Sequence, residues 1–287
     1  MKFVKNVNFS HSDNLWATGR SMGRTAGRQK LARVLRRAGE LVSVEEAAAS
    51  LGVPRQEAAK TLWRWSRQGW LRHLRRGLYA PVPLDAVSQE QVLADPWVLV
   101  PELFDPGYIG GWSAAEHWDL TEQLFRSVLV YTARSARPRE QTIQGILFVL
   151  KRTQPERIFG VRPVWRERVK VLVSDPHRTI VDMMDDPATG GGIRHVNACL
   201  RNYLALKEAD TAKLIEYADR LGNGAVFKRL GFLLAQTNAD AKLLDACRER
   251  LTTGNAKLDP ALPCRRLVKK WRLWIPKAWE AETLVRD

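Results

Sequence analysis

The sequence predicts an α+β protein, with a winged helix-turn-helix near its N-terminus and a larger mixed α/β domain whose second half is helical. Three observations lead there. Residues 28–68 carry three closely spaced helical patterns separated by glycines. Residues 71–81 read as two short strands around a basic turn. The positive charge of the chain is concentrated on this same stretch.

The charge argument is quantitative. The formal net charge is +15 over 287 residues. Residues 20–80 hold 14 Lys and Arg against 4 Asp and Glu, whereas residues 81–287 hold 30 against 26. An excess of this size favours a polyanion, and here it is local. The apolar fraction of 45% suffices for a sizeable core. No apolar run reaches the ~18–20 residues needed to cross a bilayer, so no membrane is expected as a partner. Met1–Ser12 lacks the continuous apolar segment of a signal peptide, and the chain is expected in the cytoplasm. Cys199, Cys247 and Cys264 are scattered, as are the five histidines, with no metal-ligand spacing. No disulfide framework, metal or cofactor is expected, and the thiols read as buried or inert.

Residues 1–23 read as a flexible leader and residues 24–82 as the DNA-binding domain. The first helix is expected over Arg28–Ala38, with Leu31, Val34, Leu35 and Ala38 on its inner face and Gly39 as a stop. Ser43 and Glu46 form a capping box for a short second helix that ends at Gly52. Pro54 opens a third helix running to Gln68, with Ala58, Leu62 and Trp65 inward. Gln56, Ala59, Lys60, Trp63, Arg64 and Arg67 then face solvent or a partner, flanked by Arg55. A helix, a tight turn and an exposed helix of this composition suit a DNA major groove. Arg55, Gln56, Lys60 and Arg64 are the candidate recognition residues, since Arg pairs with guanine and Gln with adenine. Arg75 and Arg76 sit at the wing turn, and Arg28, Arg33 and Arg37 are candidates for phosphate contacts. The plainer alternative for each cation is a solvated surface.

Residues 83–98 read as a linker, and residues 99–287 as the second domain. Strands are expected over Ser127–Thr132, Ile143–Leu150, Ile158–Val164 and Val169–Val173. Helices are expected over Arg178–Met184, Ile193–Leu206, Thr211–Leu221, Ala225–Leu234 and Ala241–Leu251, with a last strand over Trp271–Ile275. Ser113 reads as the N-cap of a helix through Trp118 rather than a nucleophile. Asp175, Asp182, Asp185 and Asp186 pose the one enzymatic possibility, a Mg²⁺-dependent nuclease. Their placement at a helix start and end favours capping and turn roles, and no residue is assigned to catalysis. Gly190-Gly-Gly192 lacks the neighbours of a P-loop and reads as a helix-start turn. Lys228 and Arg229, on an otherwise apolar helix, and Lys270 and Arg272, interleaved with tryptophans, are candidates for a second basic surface.

Several segments resemble one family in order and spacing. These are Arg75–Tyr79 (RRGLY), Tyr108–Gln123 (YIGGWSAAEHWDLTEQ), Val173–Asp182 (VSDPHRTIVD), Gly190–Ile193 (GGGI) and Lys228–Leu233 (KRLGFL). Together they resemble the AbiEi-type antitoxins of type IV toxin–antitoxin and abortive-infection (phage-defence) systems, over roughly residues 28–275. The resemblance implies a winged-helix autorepressor that binds operator DNA at inverted repeats, as a dimer or as side-by-side monomers. It also implies an antitoxic C-terminal domain acting against a nucleotidyltransferase-like toxin, without need of a stable complex. Two rival readings remain at this level: a transcription factor whose C-terminal domain senses a ligand or partner, and a metal-dependent DNA-acting enzyme.

Overall fold

The computed structural model describes residues 15–38, 41–82, 95–135, 137–166, 168–237 and 240–279, with side chains from residue 26 onward. The chain divides into two compact units, Met1–Gln91 and Val92–Asp287.

In the first unit, helix α1 spans Leu15–Ala38. It begins well before Arg28, so the expected leader is helical from Leu15, while residues 1–14 lie outside the described residues. No proline interrupts residues 15–38, so nothing blocks the helix backwards from its packed end. Strand β1 (Val42–Ser43) follows, then α2 (Val44–Leu51), α3 (Arg55–Arg67), β2 (Leu71–Arg75) and β3 (Leu78–Pro81). Ser43 caps α2 as its sequence suggests. Its hydroxyl accepts from the Glu46 amide at 3.2 Å, and Glu46 Oε2 accepts from the Ser43 amide at 2.9 Å. Gly52 ends the helix in the left-handed conformation, at φ +66°.

Ala58, Leu62 and Trp65 of α3 close onto Val34, Val42, Val44, Ala47, Leu71 and Tyr79 in one core. The three strands form an antiparallel sheet in the order β1-β3-β2. Val42 opposite Tyr79 adds the short strand β1 to the wing. Two residues are too few for a period-2 pattern, which is why β1 escapes a reading of periodicity.

The second unit opens with a 3-10 turn, Pro96–Leu99, capped by Asp95 and burying Val98 and Leu99. Residues 95–98 are thus part of this unit rather than of the expected linker, whose residues 83–94 lie outside the described ones. Next come α4 (Val100–Phe104), β4 (Gly107–Ile109), α5 (Gly111–His117) and β5 (Ser127–Thr132). Strands β6 (Glu140–Ile143), β7 (Ile146–Arg152), β8 (Val161–Arg166) and β9 (Val169–Ser174) complete a mixed six-stranded sheet in the order β6-β7-β5-β4-β9-β8. The strand expected over Ile143–Leu150 is not continuous. A turn at Gln144-Gly145, both with positive φ, separates Ile143 in β6 from Ile146 in β7 and folds the two strands into a hairpin.

Five helices follow among the described residues: α6 (Pro176–Asp185), α7 (Ile193–Ala205), α8 (Thr211–Leu221), α9 (Gly224–Leu234) and α10 (Ala241–Glu249). A small sheet of β10 (Ala256–Lys257), β11 (Cys264–Val268) and β12 (Leu273–Pro276) closes the unit. Trp271 ends a 3-10 turn and is not in a strand, yet it is buried with Leu273 and Ile275. It packs so tightly on α9 that a Cβ on Gly231 would lie 2.1 Å from its ring.

Candidate nucleic-acid interface

Helix α3 is two-sided. Its inner positions Ala58, Leu62 and Trp65 are at most 3% exposed. Directly opposite, at spacings of four, three and four, lie Gln56, Lys60, Trp63 and Arg67, all exposed. Arg64 is exposed beside this stripe. Arg55 is also exposed, but it sits on the flank shared with half-buried Ala59 and its Nε is 2.8 Å from Glu45. An exposed ion pair of this kind is weak. At the wing, Arg75 and Arg76 are exposed around Gly77, whose φ of +82° permits the tight reversal. Arg28, Arg33 and Arg37 are exposed along α1. All nine candidate residues of the first unit therefore reach its surface.

The second unit treats its candidate cations differently. Lys228 and Arg229 are 3% and 4% exposed and form no surface. Lys228 Nζ donates to Thr252 Oγ1 at 2.8 Å and to the Gly254 carbonyl. Arg229 donates from Nε to the Lys257 carbonyl at 3.0 Å and from Nη1 to the Met184 and Asp185 carbonyls at 2.7 and 2.9 Å. They tie α9 to the end of α6, to the loop before β10 and to β10 itself, and burial lowers both pKa values. The expectation of a basic surface there is corrected: α9 is buried nearly all round, so its cations serve as internal donors. Lys270 is exposed, and Arg272 is half-buried with Nη1 on the Thr252 carbonyl at 3.0 Å.

The four aspartates are each engaged. Asp175 caps α6, accepting from the Arg178 amide at 2.8 Å and from the Tyr217 hydroxyl at 3.0 Å. Asp182 pairs with Arg178 Nε at 2.8 Å and accepts from the Tyr108 hydroxyl at 3.0 Å. Burial pushes its carboxyl up, while the Arg178 guanidinium opposes that rise. Asp185 accepts from Asn223 at 2.6 Å, and Asp186 pairs with Lys151. Asp182, Asp185 and Asp186 do border one cavity of about 730 Å³ with Lys151, Arg152 and Arg157, but as members of these pairs. Among the described residues, no group of three or more His, Cys, Asp or Glu could hold a metal ion.

Ser113 is not an N-cap: α5 starts two residues earlier, and the hydroxyl accepts from the Leu129 amide at 2.9 Å, pinning α5 to β5. At the start of α7, Asp259 Oδ2 accepts the Ile193 amide at 3.0 Å, filling the position a phosphate oxygen would take after Gly190-Gly-Gly192. Cys199 and Cys247 are buried, and burial pushes each thiol up to about 12.

Three helices and a three-stranded wing make the first unit a winged helix-turn-helix, with a basic outer face on its third helix. Residues 29–82 match the model of a family described as "Transcriptional regulator, AbiEi antitoxin". This match supports a place for the unit among transcriptional regulators and antitoxins, and it spans the winged helix rather than most of the chain. Over its length the chain is similar to the crystal structure of the RV2827C protein from Mycobacterium tuberculosis, with a TM-score of 0.60 and 15% identity. That likeness covers 90% of this chain and 95% of that one, and at this identity it shows a shared fold. No curated protein sequence matches the chain. Among the described residues, no helix is long and apolar enough to cross a membrane.

Proposed function

We propose that this chain is a DNA-binding autorepressor and the antitoxin of a type IV toxin–antitoxin pair, counteracting a nucleotidyltransferase-like toxin. The observation that carries the reading is the outer face of α3. Gln56, Lys60, Arg64 and Arg67 project from the side opposite the core, and Arg75 and Arg76 are exposed at the wing turn. In this reading α3 enters the major groove of an inverted-repeat operator and Gln56 and Lys60 reach base edges. Arg64, Arg75 and Arg76, with Arg28, Arg33 and Arg37, neutralise phosphates, and Arg55 joins them by exchanging Glu45 for DNA. The family match over residues 29–82 supports the regulatory half of the proposal.

The antitoxic half is assigned to residues 99–287. The test is co-expression with the adjacent gene. Residues 99–287 alone are expected to relieve its toxicity, while repression of a promoter reporter needs the winged helix. Toxicity unrelieved by the full chain, or a neighbour that is not toxic, overturns the antitoxin role and leaves the DNA-binding role to be judged by the reporter.

A further inference from the structure

The outer stripe of α3 contains one large apolar residue, which neither the phosphate contacts nor the polar base contacts use. Trp63 is 62% exposed, the most exposed large apolar side chain described in the first unit, and it lies between Lys60 and Arg67 on that stripe. Of an indole held in water at the centre of a basic face, only the Nε1–H can serve a phosphate oxygen, and the rest of the ring is apolar surface. That surface gains from apolar contact. In a major groove the apolar group on offer is the C5 methyl of a pyrimidine. Helical side chains lean toward the N-terminus, so the indole covers the turn carrying Ala59 and Lys60, where the small Ala59 leaves it room. The Arg67 guanidinium stands 6.0 Å from the centroid of the ring, placing a cation beside it for the adjoining backbone.

We propose that Trp63 is a specificity-determining contact of α3, packing its indole on the C5 methyl group of a pyrimidine in the major groove. Thymine and 5-methylcytosine present the same methyl, and either can supply it. The inference rests on the DNA-binding reading above and adds to it a ligand group that the cations cannot recognise. Because Trp63 is outside the core, its replacement leaves the winged helix folded.

The test uses the full chain and the duplex it prefers from a random pool. Each thymine of that duplex is replaced in turn by uracil, which removes only the methyl group. The wild type is expected to lose about fourfold in affinity at one position, the value of burying one methyl-sized group. At that position, a 5-methylcytosine pair should bind more tightly than a cytosine pair. Trp63→Ala should bind the thymine and uracil duplexes equally, and Trp63→Phe should keep part of the difference. A wild type indifferent to every uracil, or a thymine preference intact in Trp63→Ala, overturns the proposal. So does a Trp63→Ala variant that keeps this preference but changes its sedimentation, since the indole would then be a protein contact. A wild type that selects no duplex at all defeats the DNA-binding reading itself, a result distinct from either.

Discussion

The cations of α3 and those of α9 are the same residue types with opposite fates. Lys60 and Arg64 are exposed on a helix with one buried stripe. Lys228 and Arg229 sit on a helix enclosed on nearly every side, where carbonyls and a threonine hydroxyl accept their hydrogen bonds. A Lys-Arg pair in a sequence therefore carries little meaning until the surroundings of its helix are known. Exposed cations cost almost nothing to remove from the fold, whereas buried ones leave orphaned carbonyls behind.

The largest expected effect follows from that contrast. Arg229→Met keeps much of the side-chain volume but strands the carbonyls of Met184, Asp185 and Lys257. It is expected to cost about 3 kcal/mol in urea unfolding, while duplex affinity per folded molecule holds. A cost under ~0.5 kcal/mol, typical of a surface site, would break the comparison.

An intermediate effect comes from His177, whose Nδ1 is 2.7 Å from the Tyr203 hydroxyl. Burial lowers its pKa below the usual 6.5, against a smaller opposing effect of Asp175 and with added lowering from Lys213. The unfolded chain therefore takes up this proton first. The stability His177 contributes is full above pH 6.5 and is lost as the pH falls through that value. Asp182 runs the other way: burial raises its carboxyl to about 6, so its contribution weakens as the pH rises from about 4 to 6. Thermal unfolding of the wild type against His177→Gln cancels the Asp182 effect. The variant should show a flatter loss between pH 7 and 5; parallel curves would remove His177 from the account.

The smallest effect is expected at Lys270, exposed like the α3 cations but in the unit that buries Lys228. Lys270→Ala should leave duplex affinity within about twofold, as for a cation making no phosphate contact. A larger loss would give the turn before β12 a second polyanion-binding role.

The winged helix is legible in the sequence because each signal in it is local. The capping box at Ser43 and Glu46, the left-handed Gly52 and the spacing of Ala58, Leu62 and Trp65 each rest on residues within one or two turns of helix. The second unit is legible in its elements but not in its cations or its caps. Lys228 and Arg229 are explained by Thr252, Gly254, Lys257, Met184 and Asp185, partners that no spacing rule connects to them. Asp259 at the amide of Ile193 is another such partner, 66 residues away. Arg55 shows the limit within a local motif: its composition suits recognition, but its angular position on α3 places it beside Glu45. The outward position of Trp63 is visible in the spacing, and its meaning comes from its exposure.

The salt dependence of duplex binding tests the central claim most directly. Each phosphate contact contributes about 0.9 to the slope of log affinity against log salt. If the outer face of α3 binds DNA, Lys60→Ala with Arg64→Ala should weaken binding and flatten that slope by about 0.9, the share of the Arg64 phosphate contact, without a change in unfolding midpoint. An unchanged slope and affinity in the folded double variant would contradict it.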